Sequence, residues 1–198
     1  GSKILGAGTT LRAPELGLLS SQGISHVEVY KPLKVAIFST GDELVEPGNS
    51  LEPGQIYNSN RAMLIGLVES IGMQPIDLGT VADTPGATRK ALVNGTQKAD
   101  IVISAGGVSV GEEDHVRQVV TELGSVDFWR VAIKPGKPLA FGHINGTAFI
   151  GLPGNPASVF VTFLVLAKPF LLATQGCVDT MPLMLQAKAL FSRDGESR

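Results

Sequence analysis

The sequence predicts an α/β domain of three layers, a mostly parallel sheet with helices on both faces. Three observations predict it. Short, continuous apolar runs alternate with longer segments of helical period, the pattern of buried parallel strands joined by crossover helices. Each helical segment carries its own start and stop signals. The chain also holds 24 glycines and 12 prolines in 198 residues, about 18% against an ordinary ~12%, and they gather where the apolar runs end.

Residues 1–32 show little periodicity. Pro14 to Gly23 reads as a short helix closed by glycine, and His26 to Tyr30 (HVEVY) alternates like a strand ended by Pro32. Lys34 to Thr40 (KVAIFST) is the first buried strand. Asn58 to Gly72 is a helix, capped by Asn58 or Ser59, with apolar residues at 63, 64, 67, 68 and 71. Pro75 to Val81 is a second strand. Thr84-Pro85 opens a second helix, cap followed by proline, running to about Gln97. Asp100 to Ala105 is a third buried strand, and Asp114 to Leu123 a third helix closed by Gly124. Val126–Ile133, Leu139–His143 and Thr147–Ile150 are further strands, the last two a hairpin turning near Ile144-Asn145-Gly146. Asn155-Pro156 starts a helix to about Thr174, and Leu183–Leu190 is strand-like.

Composition excludes several classes. Hydrophobic residues are 43% and the net charge is −2, so the chain is not disordered. Glycine has no period of three. One cysteine, Cys177, excludes a disulfide scaffold and indicates a reducing compartment, with a cytoplasmic location expected. The near-neutral charge argues against sequence-blind nucleic-acid binding. The longest apolar stretch, Val159 to Ala173, is interrupted by Thr162, Lys168 and Pro169, so no membrane span is expected.

In parallel sheets ligands bind beyond the carboxyl ends of the strands, and five loops there carry the polar residues. They are Ser39-Thr40-Gly41-Asp42-Glu43, Asp83-Thr84-Pro85, Gly106-Gly107-Val108-Ser109-Val110-Gly111 leading to Asp114, Lys134-Pro135-Gly136-Lys137-Pro138, and Gly151-Leu152-Pro153-Gly154-Asn155-Pro156. The GGVSVG loop is neither a Walker A loop nor GxGxxG, yet its backbone N–H groups and the Ser109 hydroxyl suit an anion at a helix start. A tight strand-to-helix turn explains it equally well. Lys134 and Lys137 suit an oxyanion or phosphate, or are two solvated lysines beside a turn. Glu43, Asp83 and Asp114 lie on three different loops; if the loops converge, the carboxylates would share Mg²⁺. Each has a local alternative: Asp83 caps the helix at Pro85, Asp42 satisfies backbone N–H groups, and Asp114 complements a helix dipole. Asn155 reads as a helix cap, with Pro156 in the first turn. Arg61 either reaches a phosphate or is a solvated helix arginine.

Taken as an ordered series, TGDE (Thr40–Glu43), SNR (Ser59–Arg61), SAGGVSVGEED (Ser104–Asp114), KPGKP (Lys134–Pro138) and GLPGNP (Gly151–Pro156) resemble the molybdopterin molybdenumtransferases, which are related to the C-terminal part of gephyrin. The resemblance covers about residues 10–180. It implies a molybdenum-cofactor-binding-like α/β domain over 33–176, with 1–32 a remnant of an N-terminal lobe and linker and 177–198 the start of a C-terminal β domain. It implies insertion of molybdenum from molybdate into adenylylated molybdopterin with release of AMP, assisted by Mg²⁺. The implied catalytic and metal-binding residues are Glu43, Asp83 and Asp114. The implied substrate-binding residues are Ser39, Thr40, Gly41, Asp42, Ser104, Gly106, Gly107, Ser109, Gly111, Lys134, Lys137, Pro153, Gly154 and Asn155. A homodimer of the full-length protein and a molybdopterin adenylyltransferase partner are further implications, with no nucleic acid and no membrane. Two departures accompany the resemblance. Ala82-Asp83-Thr84 replaces the Arg-Asp-Asp of many members, and those members are about twice as long, so the chain alone is expected to be incomplete for catalysis. An adenylyltransferase on the same core, and a gephyrin-like scaffold, are the alternatives.

Overall fold

A computed structural model describes residues 2–108, 115–131, 133, 136–186, 188 and 190. A helix α1 (Ala13–Ser21) precedes the first strand, β1 (Lys34–Thr40). A short pair, β2 (Leu44–Val45) and β3 (Ile56–Tyr57), interrupts the path to α2 (Ser59–Ser70). Then come β4 (Gln74–Val81), α3 (Pro85–Lys98), β5 (Ile101–Ala105), α4 (His115–Leu123), β6 (Gly124–Arg130), β7 (Pro138–Ile144) and β8 (Thr147–Leu152). A continuous helix closes the domain as α5 (Pro156–Thr162), a π turn (Phe163–Ala167) and α6 (Lys168–Thr174).

Six strands form one sheet in the order β4-β1-β5-β8-β7-β6. β4, β1, β5 and β8 are mutually parallel; β7 runs against β8, and β6 against β7. β6 therefore points the same way as β1, and its carboxyl end reaches the same edge. The central strands carry no polar alternation because both faces are covered. One face holds Val35, Ile37, Ile101 and Ile103 against Leu64 and Val68 of α2 and Val159, Phe163 and Leu171 of the closing helix. The other holds Ala36, Phe38, Val102 and Phe149 against Leu92 of α3 and Val116, Val119 and Val120 of α4.

The helix starts follow the expected chemistry. Asn58 Oδ1 accepts the Arg61 N–H at 3.2 Å, Thr84 Oγ1 accepts Ala87 N–H at 3.3 Å, and Asn155 Oδ1 accepts Ser158 N–H at 3.2 Å. Thr84, rather than Asp83, is thus the cap of α3. In the closing helix Val159, Phe163, Ala167 and Leu171 are buried at strict four-residue intervals. That interval drifts around an α-helix; the wider π turn keeps the row on the sheet and precedes Pro169, which has no N–H to donate. The helix Pro156–Thr174 has a mean hydropathy of 1.9 over its apolar window and meets the length and composition of a membrane span. Here it lies against the sheet through that buried row.

Three sequence expectations need correction. His26–Tyr30 is not a strand; Val29 and Tyr30 are exposed, and among the described residues no neighbouring strand offers its backbone a ladder. The described residues of Leu183–Leu190 are likewise unpaired and exposed. Gly124 belongs to β6 rather than closing α4. A Cβ there would lie 1.9 Å from the His143 carbonyl oxygen, so only glycine lets the two strands approach.

Candidate functional site

The carboxyl ends of β1, β5 and β8 meet at one edge through backbone contact. Gly106, at φ +86°, places the position of a missing Cβ 2.4 Å from the Thr40 carbonyl oxygen. Any side chain would clash there, and the conformation disfavours one as well. The Gly106 N–H donates to the Leu152 carbonyl at 3.1 Å. Its contribution is therefore close approach between loops, and its N–H is already engaged. A Cβ on Gly107 (φ +68°) would lie 2.5 Å from side-chain atoms of Thr40 and Val116. Gly154 sits beside Gly106, and its carbonyl accepts the Asn60 side-chain N–H at 2.7 Å. Pro153, just before Gly154, is buried, while Gly154 and Asn155 are exposed.

Around this junction lie buried polar atoms without partners among the described residues. Ser39 and Ser104 are fully buried and Thr40 nearly so, and none of their hydroxyl oxygens is hydrogen-bonded. Asn60 Oδ1, beside Gly154, is in the same condition. The Gly154 carbonyl can only accept, so the Asn60 amide nitrogen must face it and the oxygen is the atom left over. Buried polar atoms are ordinarily paired, and the hydroxyls of Ser39, Thr40 and Ser104 at the carboxyl ends of β1 and β5 make this edge the candidate site. Asn60 was not legible as a site residue; in the sequence it belongs to an Asn-Ser-Asn cap.

The acidic residues are distributed as follows. Asp42 Oδ1 accepts the Asp83 backbone N–H at 3.1 Å, which joins the loops after β1 and β4. This agrees with the local reading of Asp42. Glu43 is exposed, its carboxylate folded over Gly41, and Asp83 is partly exposed. Asp114 lies outside the described residues, as do Ser109, Gly111 and Lys134. Among the described residues no three His, Cys, Asp or Glu side chains gather as a metal centre. The described residues bring two of the three expected ligands onto adjoining loops; these oxygen donors are of the type that suits Mg²⁺. Lys137 is exposed at the β6–β7 connection, whose Val131 N–H donates to the Lys137 carbonyl at 3.1 Å. Gly136 is packed so that a Cβ would lie 2.2 Å from Thr162 Cγ2, which seats this connection against the end of α5.

Arg61 is partly buried, and protein carboxylates hold it. Its guanidinium bonds the carboxylates of Glu46 and Asp77. A second oxygen of Glu46 accepts the Thr80 hydroxyl, and Thr80 in turn accepts the Asn58 side-chain N–H at 2.8 Å. The Thr80 hydrogen bond, reinforced by Arg61, holds the Glu46 carboxyl below the usual carboxylate range. A cavity of about 960 Å³ occupies the opposite edge, where β1 and β4 begin, lined by Leu11, Leu19, Ile24, Val29, Tyr30 and Ile71 among others. It contains none of the expected site residues.

A three-layer sheet with glycine-tight loops at its carboxyl edge is an α/β domain, and the chain belongs to the family described as the probable molybdopterin binding domain, whose model matches residues 36–173. A molybdopterin molybdenumtransferase of Haemophilus influenzae is 47% identical over 176 residues, covering 89% of this chain and 44% of that protein. One from a Nostoc species is 44% identical over 173 residues, covering 85% and 40% respectively. Among solved structures, a molybdopterin biosynthesis moeA protein of Pyrococcus horikoshii superposes with a TM-score of 0.76 at 37% identity, over 86% of this chain and 42% of that one. The chain thus spans less than half the length of these relatives. The molybdenum cofactor biosynthesis protein B structure, at 15% identity and a TM-score of 0.56 over 75% of this chain and 98% of that one, shares the fold alone.

Proposed function

We propose that the chain is the substrate-binding core of a molybdopterin molybdenumtransferase, which inserts molybdenum from molybdate into adenylylated molybdopterin and releases AMP. The observation that carries this reading is the set of unpartnered hydroxyls of Ser39, Thr40 and Ser104 at the carboxyl edge of the sheet, in a chain whose relatives at 44–47% identity bear that name. Those hydroxyls and the backbone donors around Gly107, Ser109 and Gly111 bind the anionic parts of the substrate. Lys134 and Lys137 contribute positive charge to the same edge, and Pro153, Gly154 and Asn155 shape its wall. Glu43, Asp83 and Asp114 would hold Mg²⁺, which when bound would supply charge neutralisation for the substrate's phosphates. The adenylyltransferase and scaffold readings have no comparable support: the likeness to protein B extends to fold only.

Residues 1–32 and 177–198 are assigned to the flanking lobes of the longer protein, with 33–176 as the binding domain. Exposed apolar residues in both flanks, Val29, Met181 and Leu183 among them, support this division. The full-length protein is taken to be a cytoplasmic homodimer that receives its substrate from an adenylyltransferase. The test is AMP release from adenylylated molybdopterin by the full-length protein, which is expected to depend on molybdate. Release that is absent, or indifferent to molybdate, overturns the reading. Calorimetry with the same ligand and Mg²⁺ on Asp114→Ala is expected to show weakened binding; unchanged binding removes Asp114 from the site.

A further inference from the structure

We infer that Arg61 and Glu46 are positioning residues that clamp the loop bearing Asp42 and Glu43 onto the sheet edge; the inference rests on the reading of that loop as part of the substrate site. Residues 41–57 leave the end of β1 and return at α2 as an excursion from the domain. None of them belongs to either hydrophobic core cluster, and Leu51, Ile56 and Tyr57 are exposed. Apolar burial therefore does not fix where this segment lies.

Its internal order is local. The Ile56 N–H donates to Glu43 O and the Asn58 N–H to Val45 O, each at 2.9 Å, and the Tyr57 hydroxyl donates to Asn49 O at 3.1 Å. Of these bonds, the one from Asn58, the cap of α2, also ties the backbone of the excursion to the frame at its return. Among the described residues, its side chains make two hydrogen-bonded ties to the frame: Asp42 to the Asp83 N–H, and Glu46 to Arg61 and Thr80.

The second tie is the stronger by its chemistry. Both Glu46 oxygens are engaged, one by a cation and one by a hydroxyl. Arg61 stands on α2, which is anchored by Leu64 and Val68, and its other nitrogen bonds Asp77 of the edge strand β4. The planar guanidinium holds two carboxylates from two elements at once, which a lysine ammonium on a flexible stem does poorly. Without it the two carboxylates would repel. Only β2 separates Glu46 from Glu43, and Glu43 is exposed with its carboxylate folded over Gly41. Displacing Glu46 therefore displaces Glu43.

The test is a set of double-mutant cycles on the full-length protein, reading kcat and KM for AMP release from adenylylated molybdopterin. Arg61→Met is expected to lower kcat/KM by about tenfold or more, the scale of an ångström-sized misplacement. Glu43→Gln is expected to cost several-fold less in the Arg61→Met background than in the wild type, since coupled residues are non-additive. Arg61→Lys should recover part of the loss. If the Glu43→Gln cost is the same in both backgrounds, Arg61 serves stability only and the inference is overturned. If Glu43→Gln has no effect on the wild type, the site reading itself fails and takes the inference with it. Should Arg61→Met not fold by circular dichroism, Glu46→Gln on the partly exposed carboxyl replaces it in the same cycle, with the same two outcomes.

Discussion

Ser39 and Ser104 sit fully buried near the carboxyl ends of β1 and β5, with hydroxyls that bond nothing among the described residues. A buried unsatisfied hydroxyl costs about 1–3 kcal/mol, and on the proposed reading each is kept for the ligand. Ser39→Ala and Ser104→Ala are therefore expected to leave the ligand-free protein as stable or slightly more so in urea unfolding, and to weaken binding of adenylylated molybdopterin in calorimetry. A loss of stability without loss of affinity would assign the hydroxyls to the fold. Both serines were legible in the sequence because they stand at the carboxyl ends of apolar runs. Asn60 was not, since its bond to Gly154 joins residues 94 apart in the chain. The carboxylate partners of Arg61 were not legible for the same reason: Glu46 and Asp77 are 15 and 16 residues away.

Among the elements, the strands and helices of the sheet follow from apolar period and caps, and they stand within a few residues of expectation. The β2–β3 pair does not. Two-residue strands leave no periodic signal, and the segment is held by polar groups. This gives it a pH dependence that the core lacks. The Glu46 carboxyl is held below its ordinary range in the folded protein, first by the Thr80 hydroxyl and then by Arg61. A depressed folded value means stabilisation that is complete above the unfolded carboxylate pKa and lost as pH falls through the folded one. Unfolding of the wild type and Glu46→Gln between about pH 3 and pH 7 should show a stability difference at neutral pH that shrinks on acidification. A difference independent of pH would place the effect outside Glu46 ionisation. His26–Tyr30 and Leu183–Leu190 teach the complementary point. Their alternation is real, but a strand needs a partner, and the described chain provides none.

For the whole molecule, the two edges of the sheet have different characters. The carboxyl edge carries the glycine-tight loops and polar atoms, and the opposite edge carries a largely aliphatic cavity lined by the N-terminal segment and the end of α6. The chain spans less than half the length of its relatives, and on the proposed division the flanking lobes supply the rest of the enzyme. The 198-residue chain is accordingly expected to bind adenylylated molybdopterin in calorimetry yet release no AMP in a chromatographic assay, whereas the full-length protein does both. Turnover by the short chain would show that the binding domain suffices.

The sequence by itself determined the layers of this protein, because continuous apolar runs demand cover on both faces and caps and prolines set the helix starts. It also determined which loops hold the polar residues, because parallel strands send their ends to one edge. The tertiary structure decided how those loops touch: Gly106 against Thr40, Asn60 against Gly154, and Arg61 between Glu46 and Asp77. These contacts link residues distant in the chain through hydrogen bonds and close backbone approach, which leave no period in the sequence. The excess of glycine and proline announced that such contacts exist; only the folded chain determines their partners.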